Sequence, residues 1–305
     1  MSLIIKKTTL LKWVIIINLF AFSCIAHAQV SFVVYQVKGD AFYLTGKNKV
    51  PLKIGQSIEN NGFIITGANG QATLVSSTYC SASLKAAGKY SYDQIKKLCI
   101  DPSTDISTSY FKHMWDQVTS SKNTPESDHR NNMNIKGAVV RGCPGIKFPI
   151  WVDTVRYFSG DLIFKWSTGG GNITSNFLVF ESEDAESTLL SMPCTGDSVQ
   201  LAEVVRKINK PGNYFWTVGV NNKMDCPKHY IEFWEKTKFD KFCNDYLSNF
   251  KSMNISVAEK NNILGYYLEQ HRFYADAIRY YKSALKLDPK NELYRKSIDD
   301  FSKNY

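Results

Sequence analysis

The sequence predicts a multi-domain protein of the β plus α class: a small β-domain, then a β-sandwich, then an antiparallel helical bundle. Three observations carry this reading. Short alternating apolar segments, punctuated by Gly and Asn, fill residues 29–100. A second set of β-segments, richer in aromatics, runs over 138–234. After 235 the apolar spacing changes to i, i+3, i+4 and i+7, the period of a helix. The chain's 305 residues accommodate two or three such units.

The first 28 residues differ in kind. Lys6, Lys7 and Lys12 form a basic start, Trp13 to Cys24 is mostly apolar, and Ala26-His27-Ala28 is an A-x-A cleavage pattern before Gln29. This predicts an export signal and a periplasmic or cell-envelope address in a bacterium. The competing reading is a lipoprotein with Phe22-Ser23-Cys24 as its lipobox, which the bulky Phe22 disfavours. Loss of the leader takes three lysines from the formal charge of +9, leaving +6 with scattered cations. Without a Lys/Arg block interleaved with aromatics, nucleic-acid binding is not expected. Attraction to an anionic wall polymer or membrane surface remains compatible with the charge.

In residues 29–100, Phe32 to Val37, Ala41 to Leu44, Val50 to Ile54, Phe63 to Thr66 and Gln71 to Ser76 read as strands. Gly39, Gly55, Gly62, Gly67 and Gly70 mark the turns. The order Val37-Lys38-Gly39-Asp40-Ala41, then Leu52-Lys53-Ile54-Gly55-Gln56-Ser57-Ile58, then Ile64-Ile65-Thr66-Gly67 with Gly70, Ala72 and Leu74 resembles the FecR-like periplasmic β-domain. It departs after Leu74, where Thr78-Tyr79-Cys80 stands in place of an Asp-Gly-Ser turn. The resemblance implies a fold and an envelope binding role. It does not carry over the mechanism of the iron-responsive regulators, whose chains have a cytoplasmic part and a membrane span.

Residues 101–137 read as a linker. Within it Ser107 to Val118 forms a short amphipathic helix with Tyr110, Phe111, Met114, Trp115 and Val118 on one side, expected to strap onto the β-domain. Ser120 to Asn134 is almost devoid of apolar residues and reads as solvated. In 138–234 the β-segments are Ile163 to Trp166, Asn176 to Glu181, Val199 to Val205 and Tyr214 to Val220, broken by Gly169-Gly170-Gly171 and Pro211-Gly212. With Trp166 central and Pro211-Gly212-Asn213-Tyr214-Phe215-Trp216 late, the layout resembles an immunoglobulin-like or fibronectin type III-like sandwich.

The last unit, 235–305, opens with an apolar stripe through Phe239, Phe242, Cys243, Tyr246, Leu247 and Phe250. Two helical blocks follow, Ile263-Leu264-Tyr267-Leu268 and Ala277-Ile278-Tyr281-Ala284-Leu285, joined at His271-Arg272 and closed by Asp288-Pro289. Leu264-Gly265, Leu268, Ala277, Tyr281, Ala284 and Pro289 match the tetratricopeptide repeat (TPR) pattern, with Asn261 in place of its Trp and Arg272 in place of a common Gly, so the stretch is similar to one TPR hairpin. Leu293, Tyr294, Ser297, Ile298 and Phe301 read as a capping helix. In the TPR family the concave face is lined by helix A. Repeat positions two, five, nine and twelve fall here at Glu259, Asn262, Tyr266 and Glu269, so the resemblance implies a partner-binding set there. The competing reading is that they are solvated, or buried under the neighbouring helix.

Six cysteines remain past the leader: Cys80, Cys99, Cys143, Cys194, Cys226 and Cys243. An even count in an exported chain suggests disulfides, and sequence proximity favours Cys80–Cys99, Cys143–Cys194 and Cys226–Cys243. Cys226-x-x-His229 with Cys243 is too few ligands for zinc, and the acids Glu181, Glu183, Asp184 and Glu186 read as a solvated loop. His113, His129, His229 and His271 form no local constellation. Neither a nucleophile elbow nor a phosphate loop occurs. No catalytic residue, metal or cofactor is therefore expected. The sequence favours a non-catalytic exported envelope protein, a protein–protein or cell-wall binding scaffold working through its β-modules and TPR hairpin. The alternative is a periplasmic ligand sensor or regulator that acts with a separate membrane partner.

Overall fold

The first strands form two four-stranded antiparallel sheets. β1 (Phe32–Lys38), β4 (Ser57–Ile58), β6 (Gln71–Ser76) and β7 (Ser81–Leu84) are ordered β4-β1-β6-β7. β2 (Ala41–Thr45), β3 (Asn48–Pro51), β5 (Gly62–Thr66) and β8 (Gly88–Ser91) are ordered β3-β2-β5-β8. The computed structural model describes residues 30–101, 105–119, 146–167, 175–194, 196–220, 226–251 and 255–305. The segment expected to be a leader, with Cys24, the polar stretch 120–134 with His129, Cys143 and the 169–171 glycines lie outside them.

Phe32, Val34, Ile64, Leu74, Ala82 and Leu84 fill the interior of this first unit. A capping box at Ser91 and Gln94 starts α1 (Tyr92–Lys97), whose Ile95 joins the same core. Gly39, at φ 61°, faces the opposite turn so closely that an added Cβ would lie 2.1 Å from the carbonyl oxygen of Asn69. Only glycine serves there. The ladder between β1 and β6 slips between Val34 and Gln36, a bulge that leaves Tyr35 without a ladder partner. Val34 and Val37 therefore face the inner core, while Tyr35 enters a second, outer one.

The middle of the chain holds β9 (Thr154–Tyr157), β10 (Ile163–Lys165), β11 (Ser175–Phe180), β12 (Leu190–Cys194), β13 (Ser198–Gln200), β14 (Gly212–Val220) and β15 (His229–Phe233). Five of them make the sheet β12-β11-β14-β15-β9, antiparallel except for β15 against β9, and β10 pairs with β13. Trp216 packs against Phe164 and Phe177 at ring separations of 4.9 and 5.0 Å. The expected strand over Val199 to Val205 is corrected: only its start is β, and Leu201–Ile208 is a helix, α3. Leu201 and Val204 are its buried residues, three apart as on one helix face, and Asn209 stops it in the left-handed conformation. The expected strand over Val50 to Ile54 likewise ends at Pro51, which has no N–H for a ladder.

Four helices close the chain: α4 (Lys236–Ser248), α5 (Val257–Gln270), α6 (Tyr274–Leu287) and α7 (Glu292–Asn304). Ser256 caps α5 through the Glu259 N–H at 3.2 Å, and Asn291 caps α7. α5 and α6 form an antiparallel hairpin. Gly265 lets them close, since a Cβ there would stand 2.5 Å from the Tyr281 ring. Arg272 holds φ 67° in the turn, a conformation glycine adopts at less cost. Its carbonyl accepts the Arg156 N–H at 2.9 Å, tying the hairpin to edge strand β9. Asp276, fully buried, accepts from the Phe158 N–H at 3.0 Å and from the Ser159 hydroxyl at 3.1 Å, and pairs with Arg279. On the other side of the hairpin Tyr246 of α4 stacks on Tyr267 at 3.6 Å.

The linker helix is α2 (Asp105–Thr119). It packs on β1, β6 and α7, and Tyr110, Phe111 and Met114 are almost completely buried. One outer core runs through Tyr35 and Val75 of the first unit, α2, the paired sheets and the helical end. The fold is thus mixed β plus α, with an inner core confined to the first unit and an outer one shared by all of these elements.

The cysteines partly depart from expectation. Cys80 and Cys99 are bridged. Cys194 and Cys243 are free thiols, so neither Cys143–Cys194 nor Cys226–Cys243 forms. Proximity in sequence fails here because Cys243 faces into the helical core. Cys226 is disulfide-bonded all the same. Non-reducing peptide mapping is expected to return Cys226 in a bridge that does not include Cys243, and Cys194 and Cys243 alkylated once the protein is denatured.

Candidate functional site

The four helix A residues singled out from the sequence are all buried, and two of them, Asn262 and Tyr266, lie under a helix of the same chain. Asn262 and Glu259 are 0% and 3% exposed, and Glu269 and Tyr266 are also buried. They do not line an open groove. α2 covers Asn262 and Tyr266, because its own apolar stripe is too wide to be satisfied by the β-sheet alone.

The contact is dense in hydroxyls. The Tyr110 hydroxyl shares a 2.6 Å hydrogen bond with that of Tyr35 from the β1 bulge, and accepts from the Asn262 amide at 3.3 Å. Tyr266 pairs its hydroxyl with Ser109 at 3.0 Å and stacks on His113 at 4.5 Å. One turn on, the Gln117 amide donates to the Ser297 hydroxyl of α7 at 3.4 Å, and Lys296 donates to the Gln117 carbonyl. Glu269 lies at the far end of α5 and accepts from Tyr281 at 2.8 Å. It braces the hairpin and does not join the α2 contact.

Electrostatics follow from burial. Removal from water pushes the Glu259 carboxyl up to about 7, with the Ser256 hydrogen bond, Lys38 and Tyr35 pulling it back. Burial also raises Tyr35 and Tyr110 well above the ordinary phenol, so both stay protonated and able to donate. A neutral acid amid neutral phenols needs no counter-charge; an ionised one does.

The remaining candidates play structural parts. His229 packs on Trp216 at 4.8 Å and faces Asp153 at 3.3 Å, and burial lowers its pKa. With the Cys226 sulfur already in a disulfide, it does not form a metal set with His229 and Cys243. Among the described residues no group of three or more His, Cys, Asp or Glu is placed to hold a metal ion. Glu181, Glu183, Asp184 and Glu186 are exposed in the β11–β12 loop. Among the described residues no helix is long and apolar enough to cross a membrane.

Sequence reasoning missed Tyr35, Ser109 and His113 as partners of helix A. The hydrogen-bonded pairs lie 75 to 157 residues apart, and no local pattern announces them. A bulge at Tyr35 also has no turn residue to mark it. No protein-family model matches the chain, and no curated protein matches it.

Glu259 yields a pH signature. Its folded pKa is raised, so its contribution to stability is whole below about 4.5 and is lost as pH rises through about 7. Urea unfolding should show Glu259→Gln more stable than wild type at pH 8 by up to about 3 kcal/mol, with the gap closing toward pH 4.5. An equal gap at both pH values would contradict the assignment.

Proposed function

We propose that the chain is an exported, non-catalytic cell-envelope protein with a FecR-like β-domain, an immunoglobulin-like sandwich and a terminal TPR-like hairpin, working as a protein–protein binding scaffold. The observation that carries this is the seating of α2 on helix A. Two of the repeat positions that hold a partner in the TPR family, Asn262 and Tyr266, here grip a helix by amide, hydroxyl and ring contacts. The hairpin thus has the chemistry of a helix-binding face and uses it within the chain. Partners then engage the β-modules or compete with α2. Export rests on the leader pattern, and the Cys80–Cys99 bridge suits an oxidising compartment. A cell-wall polymer is the other class of partner that the basic charge accommodates.

A second reading, a ligand sensor with a separate membrane partner, draws on one observation. Tyr35 of the β-domain and Glu259 of the hairpin interact at α2, so a change in either unit is felt by the other.

The test is affinity capture from an envelope fraction, comparing wild type with Met114→Asp, which puts a charge at a buried α2 position and loosens the helix. A discrete protein partner is expected. Capture should rise several-fold in the variant if that partner competes with α2, and stay unchanged if it docks on the β-modules. Recovery of no protein from either form, or of glycan alone, contradicts the scaffold reading.

A further inference from the structure

We propose that the outer face of the β3-β2-β5-β8 sheet docks on an anionic phospholipid surface. Side chains alternate along each strand, and Tyr43 and Ile64 point into the inner core. Phe42, Leu44, Phe63 and Ile65 therefore point the other way. The register sets Phe42 opposite Ile65 and Leu44 opposite Phe63, so the four apolar side chains form one block in the middle of the sheet. All four are partly exposed, and none joins a hydrophobic core of the described residues. An antiparallel sheet with one solvated face ordinarily carries polar residues there. The other sheet of this unit also turns apolar side chains outward, Tyr35 and Val75, and α2 packs over them. A contiguous apolar block left in contact with water marks an interaction surface.

Charge on the same face selects the partner. Lys49 of edge strand β3 lies opposite Leu44, and Lys89 of edge strand β8 lies opposite Ile65, so both project on the apolar side. Each reaches diagonally inward over a phenyl ring. The Lys49 Nζ stands 4.2 Å from the Phe42 ring centre and the Lys89 Nζ 4.0 Å from that of Phe63. The block is thus flanked by an ammonium group on each side. The four strands contain no Asp or Glu. Asp40, Glu59 and Asp93 stand beyond the strand ends. A second copy of the face would bring lysine toward lysine with no strand carboxylate to receive it, which disfavours a symmetric pair. A protein partner would need two acids at the matching spacing across an apolar strip. The phosphates of an anionic leaflet move laterally to suit any spacing of cations, and the acyl chains beneath them take up the four apolar side chains. The lysine stems then lie along the rings while their ammonium groups reach the phosphates. Such attachment is peripheral; it adds a surface to the scaffold reading and does not depend on it.

The experiment is co-sedimentation of the exported protein with vesicles, its N-terminus read by mass spectrometry so that the apolar run from Trp13 to Cys24 is not the membrane contact. Phosphatidylcholine vesicles holding about a third phosphatidylglycerol are compared with phosphatidylcholine alone. Binding to the anionic vesicles is expected, about tenfold or more tighter than to the neutral ones. Lys49→Gln/Lys89→Gln should weaken it about tenfold or more, and Phe42→Thr/Phe63→Thr by a similar factor, because the apolar block supplies the other part of the attraction. Both variants change side chains outside the cores, and threonine suits a strand, so Tm should stay near that of wild type. Lys282→Gln/Lys286→Gln, at exposed positions of α6, removes the same charge and should bind as wild type. Equal loss in that control, or full binding by Phe42→Thr/Phe63→Thr, would mean attraction by net charge alone and overturns the proposal. Binding to neither vesicle, or equally to both, overturns it too. A lipid-free dimer that Phe42→Thr/Phe63→Thr dissociates, while vesicle binding is absent, assigns the face to a second copy instead.

Discussion

The structure depends on the hydrogen bonds at the Tyr110 hydroxyl. That one group, on α2, bonds Tyr35 of the first sheet and Asn262 of the helical hairpin. Around it the rings of Phe111, Phe250 and Tyr266 pack edge-on within 5.5 to 6.5 Å. A hydroxyl in such surroundings is costly unless it is bonded, and cheap once it has both a donor and an acceptor. The apolar rings supply the attraction; the hydroxyl and amide fix which residues meet. α2 is therefore a clasp, and the outer core is continuous because the clasp faces both ways.

Buried polar groups recur wherever two units meet. Asp276 anchors α6 to the turn after β9, and Glu269 braces α6 and the C-terminal Tyr305 against α5. Glu259 sits where the first sheet, α2 and α5 converge. These acids lose hydration on burial and regain part of it from hydroxyl and N–H donors, so each site tolerates only one arrangement of its neighbours.

The sequence made the local parts legible. The helical stripes of α4 to α7 and the amphipathic α2 follow a 3.6-residue period that any reading detects, and the glycines at Gly39 and Gly265 mark places where backbones or rings approach closely. The Cys80–Cys99 bridge spans a short separation of 19 residues and was within reach of proximity arguments. Three things were not legible. The run from Val199 to Val205 holds three valines that favour a strand by type, while Leu201 and Val204 fit a helix by spacing, and spacing won. Cys243 lies in an apolar stripe, and nothing local distinguishes a core thiol from half of a bridge. The closure of the Asn262 and Tyr266 face depends on a partner helix more than a hundred residues earlier, which only the tertiary fold brings near.

The claim that α2 holds the β-domain and the helical hairpin as one body is tested most directly by hydrogen exchange on Tyr110→Ala. That change removes the shared hydroxyl and the ring at the centre of the clasp. The account predicts that amides of β1 and α5 lose protection together with those of α2, while the β11–β14 ladder of the middle sheet keeps its own. Loss confined to α2, with β1 and α5 unchanged, would show that the two units stand independently of the clasp and would contradict it.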